Sequence, residues 1–204
     1  MRSRLWLCGA TLVAAFTVVS VRPVNAQLIQ PGLTAGASLS TFTGNLSSDF
    51  SNYATFFGGV FVRVGMAGFG VQPGLYYTGK GAKFGTGPDS SKVALDYIQI
   101  PIVIRINLPA HLYVGAGPAI GIKLSCKITP NGAVSQDCAN SGGPTPKSTE
   151  TDGILEAGIQ FNKFALGGRA DFGLTNALEA VQTGSTANVT AKTRTLSAVL
   201  EIRF

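Results

Sequence analysis

Few residues of this chain are of a type that does chemistry, and His111 is the only imidazole among 204 residues. It stands just after the short Asn107-Leu108-Pro109-Ala110 segment. A lone imidazole could serve as a general base, but in such a place it is more often a structural or interfacial residue, so no catalytic residue is assigned. Cys126 and Cys138 share one polar segment, where two thiols either cross-link or help to hold a metal. With one histidine in the chain and no carboxylate placed beside the cysteines as an obvious ligand set, no metal site is assigned. Gly115, Gly117 and Gly121 are not a dinucleotide loop: the spacing is wrong and no helix follows. No cofactor is expected.

The charges are more informative. Arg63, Arg105, Lys123, Glu156, Arg169, Asp171, Glu201 and Arg203 each occupy the polar face of a segment whose other face is apolar. Charges enclosed together are costly unless opposite signs meet. Arg169 or Asp171 with Glu201 or Arg203 is the expected pairing, because the last two segments should be neighbours.

The elements that position these residues alternate with a period of two, which means β-strands. From Leu95 to Ile106, Ile98, Ile100, Ile102, Ile104 and Ile106 line one face, against Tyr97, Gln99, Pro101, Val103 and Arg105. An unbroken isoleucine face opposite a polar one suits a strand with bilayer outside and a barrel lumen inside. Seven further segments repeat the pattern, at about 33–42, 54–64, 69–78, 112–123, 153–161, 164–175 and 195–204. At roughly nine to eleven residues, such strands cross a bilayer when tilted. The connections alternate long and short, with long loops at 43–53, 81–92, 126–152 and 176–191. The fold expected is an all-β, eight-stranded antiparallel up-and-down transmembrane barrel. Pro73, Pro101 and Pro118 fall within strands, and a closed barrel has no free edge; each is expected at a bulge or near a strand end.

Arg2 and Arg4 precede an apolar segment from about Leu5 to Val21, with Val24-Asn25-Ala26 before Gln27. This is the form of a secretory signal, giving a signal peptide at 1–26 and one domain at 27–204. Cys8 goes with the signal, and in an exported chain a Cys126–Cys138 disulfide becomes the favoured reading. Losing Arg2, Arg4 and Arg22 takes Lys+Arg from 16 to 13 against 10 Asp+Glu, a net charge of only +3, which gives no reason to expect nucleic acid.

Gly32-Leu33-Thr34-Ala35-Gly36, Val71-Gln72-Pro73-Gly74-Leu75-Tyr76-Tyr77 with Lys80-Gly81-Ala82, Tyr97-Ile98-Gln99-Ile100-Pro101, Gly115-Ala116-Gly117-Pro118 and Leu200-Glu201-Ile202-Arg203-Phe204 carry a family likeness. The chain resembles small eight-stranded outer-membrane β-barrels of the PorT-like type, related in architecture to the outer-membrane protein A and X barrels. The resemblance implies that Phe204 is the assembly signal read by the barrel-insertion machinery. Outer-membrane acyl hydrolases are similar in size but need a histidine beside a serine on the outer half, whereas His111 falls at the opposite end.

The expected function is a non-enzymatic, structural or adhesive outer-membrane barrel of a Gram-negative cell. It would sit in the lipid bilayer as a monomer and meet an unidentified extracellular partner through its long loops. An eight-stranded barrel is about filled by its own side chains, which argues against an open pore. Two alternatives stand: a soluble periplasmic lipocalin-like barrel binding a small apolar ligand, and a narrow ion or solute channel.

Overall fold

The computed structural model describes residues 29–44, 50–66, 68–84, 91–130, 134–138, 147–175 and 191–204. The expected signal peptide at 1–26 lies outside them, as does most of the 176–191 loop. The strands are β1 (Ile29–Gly44), β2 (Phe50–Ser51), β3 (Tyr53–Met66), β4 (Phe69–Phe84), β5 (Ser91–Asn107), β6 (Leu112–Thr129), β7 (Gln136–Asp137), β8 (Thr149–Phe161), β9 (Phe164–Gly173) and β10 (Ala191–Arg203). β2 and β7 are two-residue additions to β4 and β6. The other eight form a closed antiparallel barrel, each pairing with its sequence neighbours and β1 closing on β10. No helix among the described residues is long and apolar enough to cross a membrane; the wall is made of strands.

Alternation sorts the side chains as the sequence implies. On β5, Ile100, Ile102, Ile104 and Ile106 are 42–49% exposed and point outward, with the half-buried Ile98 on the same face, while Tyr97, Gln99, Val103 and Arg105 are buried inside. Leu33, Leu39, Val60, Leu75, Val114, Ile120, Leu155, Leu166, Leu196 and Leu200 continue the apolar exterior around the other strands. On β1, the inward Gly36 and Gly32 sit opposite Phe57 and Phe61. A Cβ at either would collide with the facing ring, so these positions let two buried aromatics lie flat against the wall.

Two expectations need correction. The long strands run from 10 to 18 residues, and most exceed the nine to eleven expected. The excess is at the long-loop end: β4 continues through Lys80 to Phe84, β5 begins at Ser91, β6 reaches Thr129 and β8 begins at Thr149. Polar, glycine-rich sequence there looks like loop, but backbone pairing costs little beyond the bilayer, where side chains face water on one side.

The prolines are the second correction, since none sits at a bulge or a strand end. The β3–β4 ladder passes from Phe61↔Gly74 to Val64↔Val71 and omits Pro73. The β4–β5 ladder passes from Pro73↔Ile102 to Tyr76↔Gln99 and omits Pro101, and the β5–β6 ladder passes from Pro101↔Ala119 to Ile104↔Ala116 and omits Pro118. Register is unchanged across each gap; the one shift on these ladders is at Asp96/Tyr97. In an antiparallel sheet a residue sends its N–H and C=O to a single neighbour. Each proline therefore interrupts one ladder and leaves the other intact: Pro73↔Ile102, Pro101↔Ala119 and Pro118↔Gly153 are all paired.

The short connections share one end. Leu108–His111 is a tight turn closed by Leu108 N–H donating to Leu112 O at 2.8 Å, with Ala110 and His111 at φ 59° and 61°. Asn162 takes φ 39° in the turn before Phe164, a conformation that asparagine tolerates better than most residues.

Candidate functional site in the barrel interior

Inward-facing charges gather in two clusters. The first centres on Glu201 of β10. Arg105 of β5 grips it with both terminal nitrogens, at 2.7 and 2.9 Å, and donates Nε to Glu156 of β8 at 2.7 Å. Arg63 of β3 adds a contact to Glu201 at 3.2 Å and bonds Gln72 of β4 at 2.7 and 2.9 Å, and Gln72 in turn donates to Glu201 at 3.0 Å. Tyr113 stacks under the Arg105 guanidinium at 4.0 Å. Arg203 closes the turn end by donating to Asn162 O at 2.6 Å and Gln160 at 3.4 Å. Five strands are tied together by fork-shaped, charge-assisted bonds, the strongest kind available to side chains.

The second cluster lies toward the long loops. Lys80 of β4 donates to Asp152 of β8 at 2.6 Å and pairs with Glu150 at 3.2 Å. Gln99 donates to Asp152 at 2.7 Å and accepts from Arg169 at 2.7 Å. Arg169 is held on Asp171 of its own strand at 2.7 Å and faces the rings of Phe57 and Tyr76. Thr193 donates to Glu150. Beyond this layer, Phe42, Ala82, Val93, Leu95 and Tyr97 form an apolar cap, with Cys126 and Ile128 packed against it. Cys126 is bonded to Cys138, with Cα atoms 5.5 Å apart.

Of the eight charges singled out in the sequence, Arg63, Arg105, Glu156, Arg169, Asp171, Glu201 and Arg203 are buried in the lumen, and Lys123 is half-buried opposite Tyr97. The expected β9–β10 pairing does not occur. Arg169 lies opposite Ser197, and Asp171 opposite Thr195, so each turns to a partner on its own strand or across the lumen. Glu201 likewise reaches across the barrel to β3 and β5.

Sequence reasoning missed Lys80, Glu150 and Asp152, which fall outside the strands it drew, and two amides: Gln72, which bonds Arg63 and Glu201, and Gln99, which bonds Asp152 and Arg169. The signal was present as continued alternation: Tyr76, Thr78, Lys80 and Ala82 form one inward series, and Glu150, Asp152, Ile154 and Glu156 another. His111 is exposed at the turn, its ring 5.7 Å from that of Phe161. Among the described residues no group of three or more His, Cys, Asp or Glu could hold a metal ion.

An apolar exterior around a lumen full of ion pairs is the reverse of a water-soluble lipocalin-like barrel, and that alternative is set aside. Several solved structures are similar to this chain. Neisserial surface protein A matches with a TM-score of 0.57 at 11% identity, over 85% of this chain and 97% of that one. Ail of Yersinia pestis, solved with the heparin analogue sucrose octasulfate, matches at 17% identity and a TM-score of 0.45, over 87% and 99%. OprG of Pseudomonas aeruginosa matches at 9% and 0.41, over 87% and 94%. No curated protein sequence matches the chain. The family model described as outer membrane protein beta-barrel domain matches residues 25–179, and the chain belongs to that family of outer-membrane proteins.

Proposed function

We propose that this barrel is a non-enzymatic, monomeric outer-membrane protein with a structural or adhesive role, and that the segments at 43–53, 81–92, 126–152 and 176–191 meet an extracellular partner. The observation that carries this reading is the Glu201 cluster, in which side chains from five strands bond across the lumen. A lumen cross-braced in this way favours a scaffold over a conduit, and it leaves the loops as the part free to vary.

The test is adhesion of cells displaying the protein, with the part of each long segment that lies between the barrel strands replaced in turn by a Gly-Ser linker of equal length. At least one replacement should abolish binding while the unheated protein keeps its fast gel mobility. Unchanged adhesion with all four segments replaced, or regular conductance steps in planar bilayers, would overturn the proposal.

Phe204 fits an assembly role on two grounds: its side chain is 69% exposed, and its N–H donates to Pro31 O at 2.9 Å, where β10 meets β1. Phe204→Ala, which keeps that N–H, should slow insertion by the assembly machinery without altering the stability of barrels already folded.

A further inference from the structure

The outer wall carries a charged group that the lumen does not use. Lys83 of β4 and Lys92 of β5 are direct cross-strand partners. Both point outward, because Ala82 and Val93 beside them pack in the interior cap. Ser51 lies opposite Lys83 on its other side, and Thr129 opposite Lys92, so the row reads Ser51, Lys83, Lys92, Thr129. Lys127 is diagonal to Lys92 and also points outward, since Cys126 and Ile128 face the cap. Direct partners stand about 5 Å apart at Cβ and diagonal ones about 7–8 Å.

Like charges placed directly opposite destabilise a sheet, yet among the described residues none of the three lysines has an ion-pair partner. The outward carboxylates nearby do not supply one. Asp96 is occupied by the hydroxyls of Tyr77 at 2.7 Å and Ser125 at 2.6 Å, and Asp137, opposite Lys127 on β7, makes no ion pair among the described residues. The row presents three cations and two flanking hydroxyls to whatever lies outside, with the exposed Asp137 carboxylate at its Lys127 end.

Its height identifies what that is. On β6 the apolar exterior ends with Ile122 and Leu124, 45% and 56% exposed, and Lys127 follows three residues on. On a strand tilted about 45° with a rise of about 3.3 Å per residue, Lys127 stands roughly 7 Å above Leu124. The headgroup layer is roughly 5–8 Å deep on each side of the hydrocarbon; Lys92 lies six residues beyond Ile98 and Lys83 six beyond Tyr77, roughly 14 Å up on the same tilt, and their long stems reach back down toward that layer. The long-loop end faces the cell exterior. We propose that Lys83, Lys92 and Lys127 seat the phosphate group of an anionic lipid in the outer leaflet. Lys192 and Arg194 of β10 also lie outward, but Arg194 already faces the Phe172 ring at 5.6 Å, so they form the control surface.

The test uses the mature chain folded into phosphatidylcholine vesicles with or without a minor fraction of phosphatidic acid. Lipid retained after detergent extraction is read by native mass spectrometry. Wild type should retain phosphatidic acid, and K83Q/K92Q/K127Q should lose that retention on the order of tenfold or more, the loss of about one charge-assisted contact. K192Q/R194Q and the conservative K83R/K92R/K127R should retain it. Single Lys→Gln changes, each checked for unheated gel mobility, give graded losses if the triple variant fails to fold. Equal retention by the triple and wild-type proteins, or equal loss in K192Q/R194Q, overturns the proposal. So does equal competition by inorganic phosphate at matched concentration, which would make the ligand a free anion rather than a lipid.

Discussion

The two clusters inside one lumen differ in how fully their polar atoms are used. Around Glu201, Arg63, Arg105 and Arg203 face Glu156 and Glu201, three cations to two anions, and both Glu201 oxygens accept from Arg105. Around Lys80, Lys80 and Arg169 face Glu150, Asp152 and Asp171, two cations to three anions. There, Asp152 Oδ1 lacks a hydrogen bond among the described residues and Glu150 Oε2 has only the Lys80 ammonium at 3.2 Å, whereas the first cluster leaves only Arg203 Nε. The difference follows from donor geometry. A guanidinium offers five N–H groups in a planar fork that serves two carboxylates at once, while an ammonium is a compact point charge with three. The Glu201 cluster is therefore the brace of the barrel, and the Lys80 cluster is the looser layer beneath the loops.

The largest effect that would break this contrast is at Glu201. Glu201→Gln removes the anion shared by Arg105 and Arg63 and leaves two buried guanidinium groups short of charge. Deleting one partner of a buried pair costs about 3–5 kcal/mol. The urea midpoint, read as loss of the fast-migrating band in vesicles, should fall by a corresponding amount. A loss below about 1 kcal/mol would mean that the cluster is not the brace.

At Lys80 the outcome should differ in kind. Lys80→Met leaves Glu150 and Asp152 facing one another without their cation and should destabilise by about 2–4 kcal/mol, toward the low end of the range for a broken buried pair. Adding Asp152→Asn should recover part of it, with a coupling of roughly 1–3 kcal/mol in the double-mutant cycle. Strict additivity would show that Lys80 does not hold the acids together.

How much of this was legible follows the same division. Arg63, Arg105, Glu156 and Glu201 stand in segments where one face is strongly apolar, so the alternation that marks a membrane strand also marks them as inward. Lys80, Glu150 and Asp152 stand where the strands have left the hydrocarbon. Their outward neighbours, Gly79, Gly81, Thr151 and Gly153, carry no apolar signal, and the strand reads as loop. Partner choice was not legible at all. Adjacent strands suggested Arg169 with Glu201, but small barrels let long side chains meet across the lumen, and Ser197 and Thr195 occupy the places beside Arg169 and Asp171.

Arg105→Lys sharpens the comparison by keeping charge and removing the fork. Lysine cannot hold Glu156 and both oxygens of Glu201 together, so at least one charge-assisted bond is lost, worth about 1.5–3 kcal/mol. If the urea midpoint is unchanged, the contrast between the clusters is one of charge count and not of donor shape.

The smallest effect lies in the wall between the clusters. Pro101 is buried and flanked by Gln99 and Val103, and its place opposite Gly74 is one of the three ladder gaps. Pro101→Ala supplies an N–H that the register already directs at β4. The new bond contributes about 0.5–1.5 kcal/mol, while the unfolded chain regains freedom worth about 0.4–1 kcal/mol. The two nearly cancel, so the urea midpoint should move by less than about 1 kcal/mol. Hydrogen exchange separates the terms that stability hides: the amide introduced at position 101 should be protected as strongly as that of Gln99. Rapid exchange there would mean that the gap is held open by the neighbouring Pro73 and Pro118, so that the three prolines act as one seam and not as three separate interruptions.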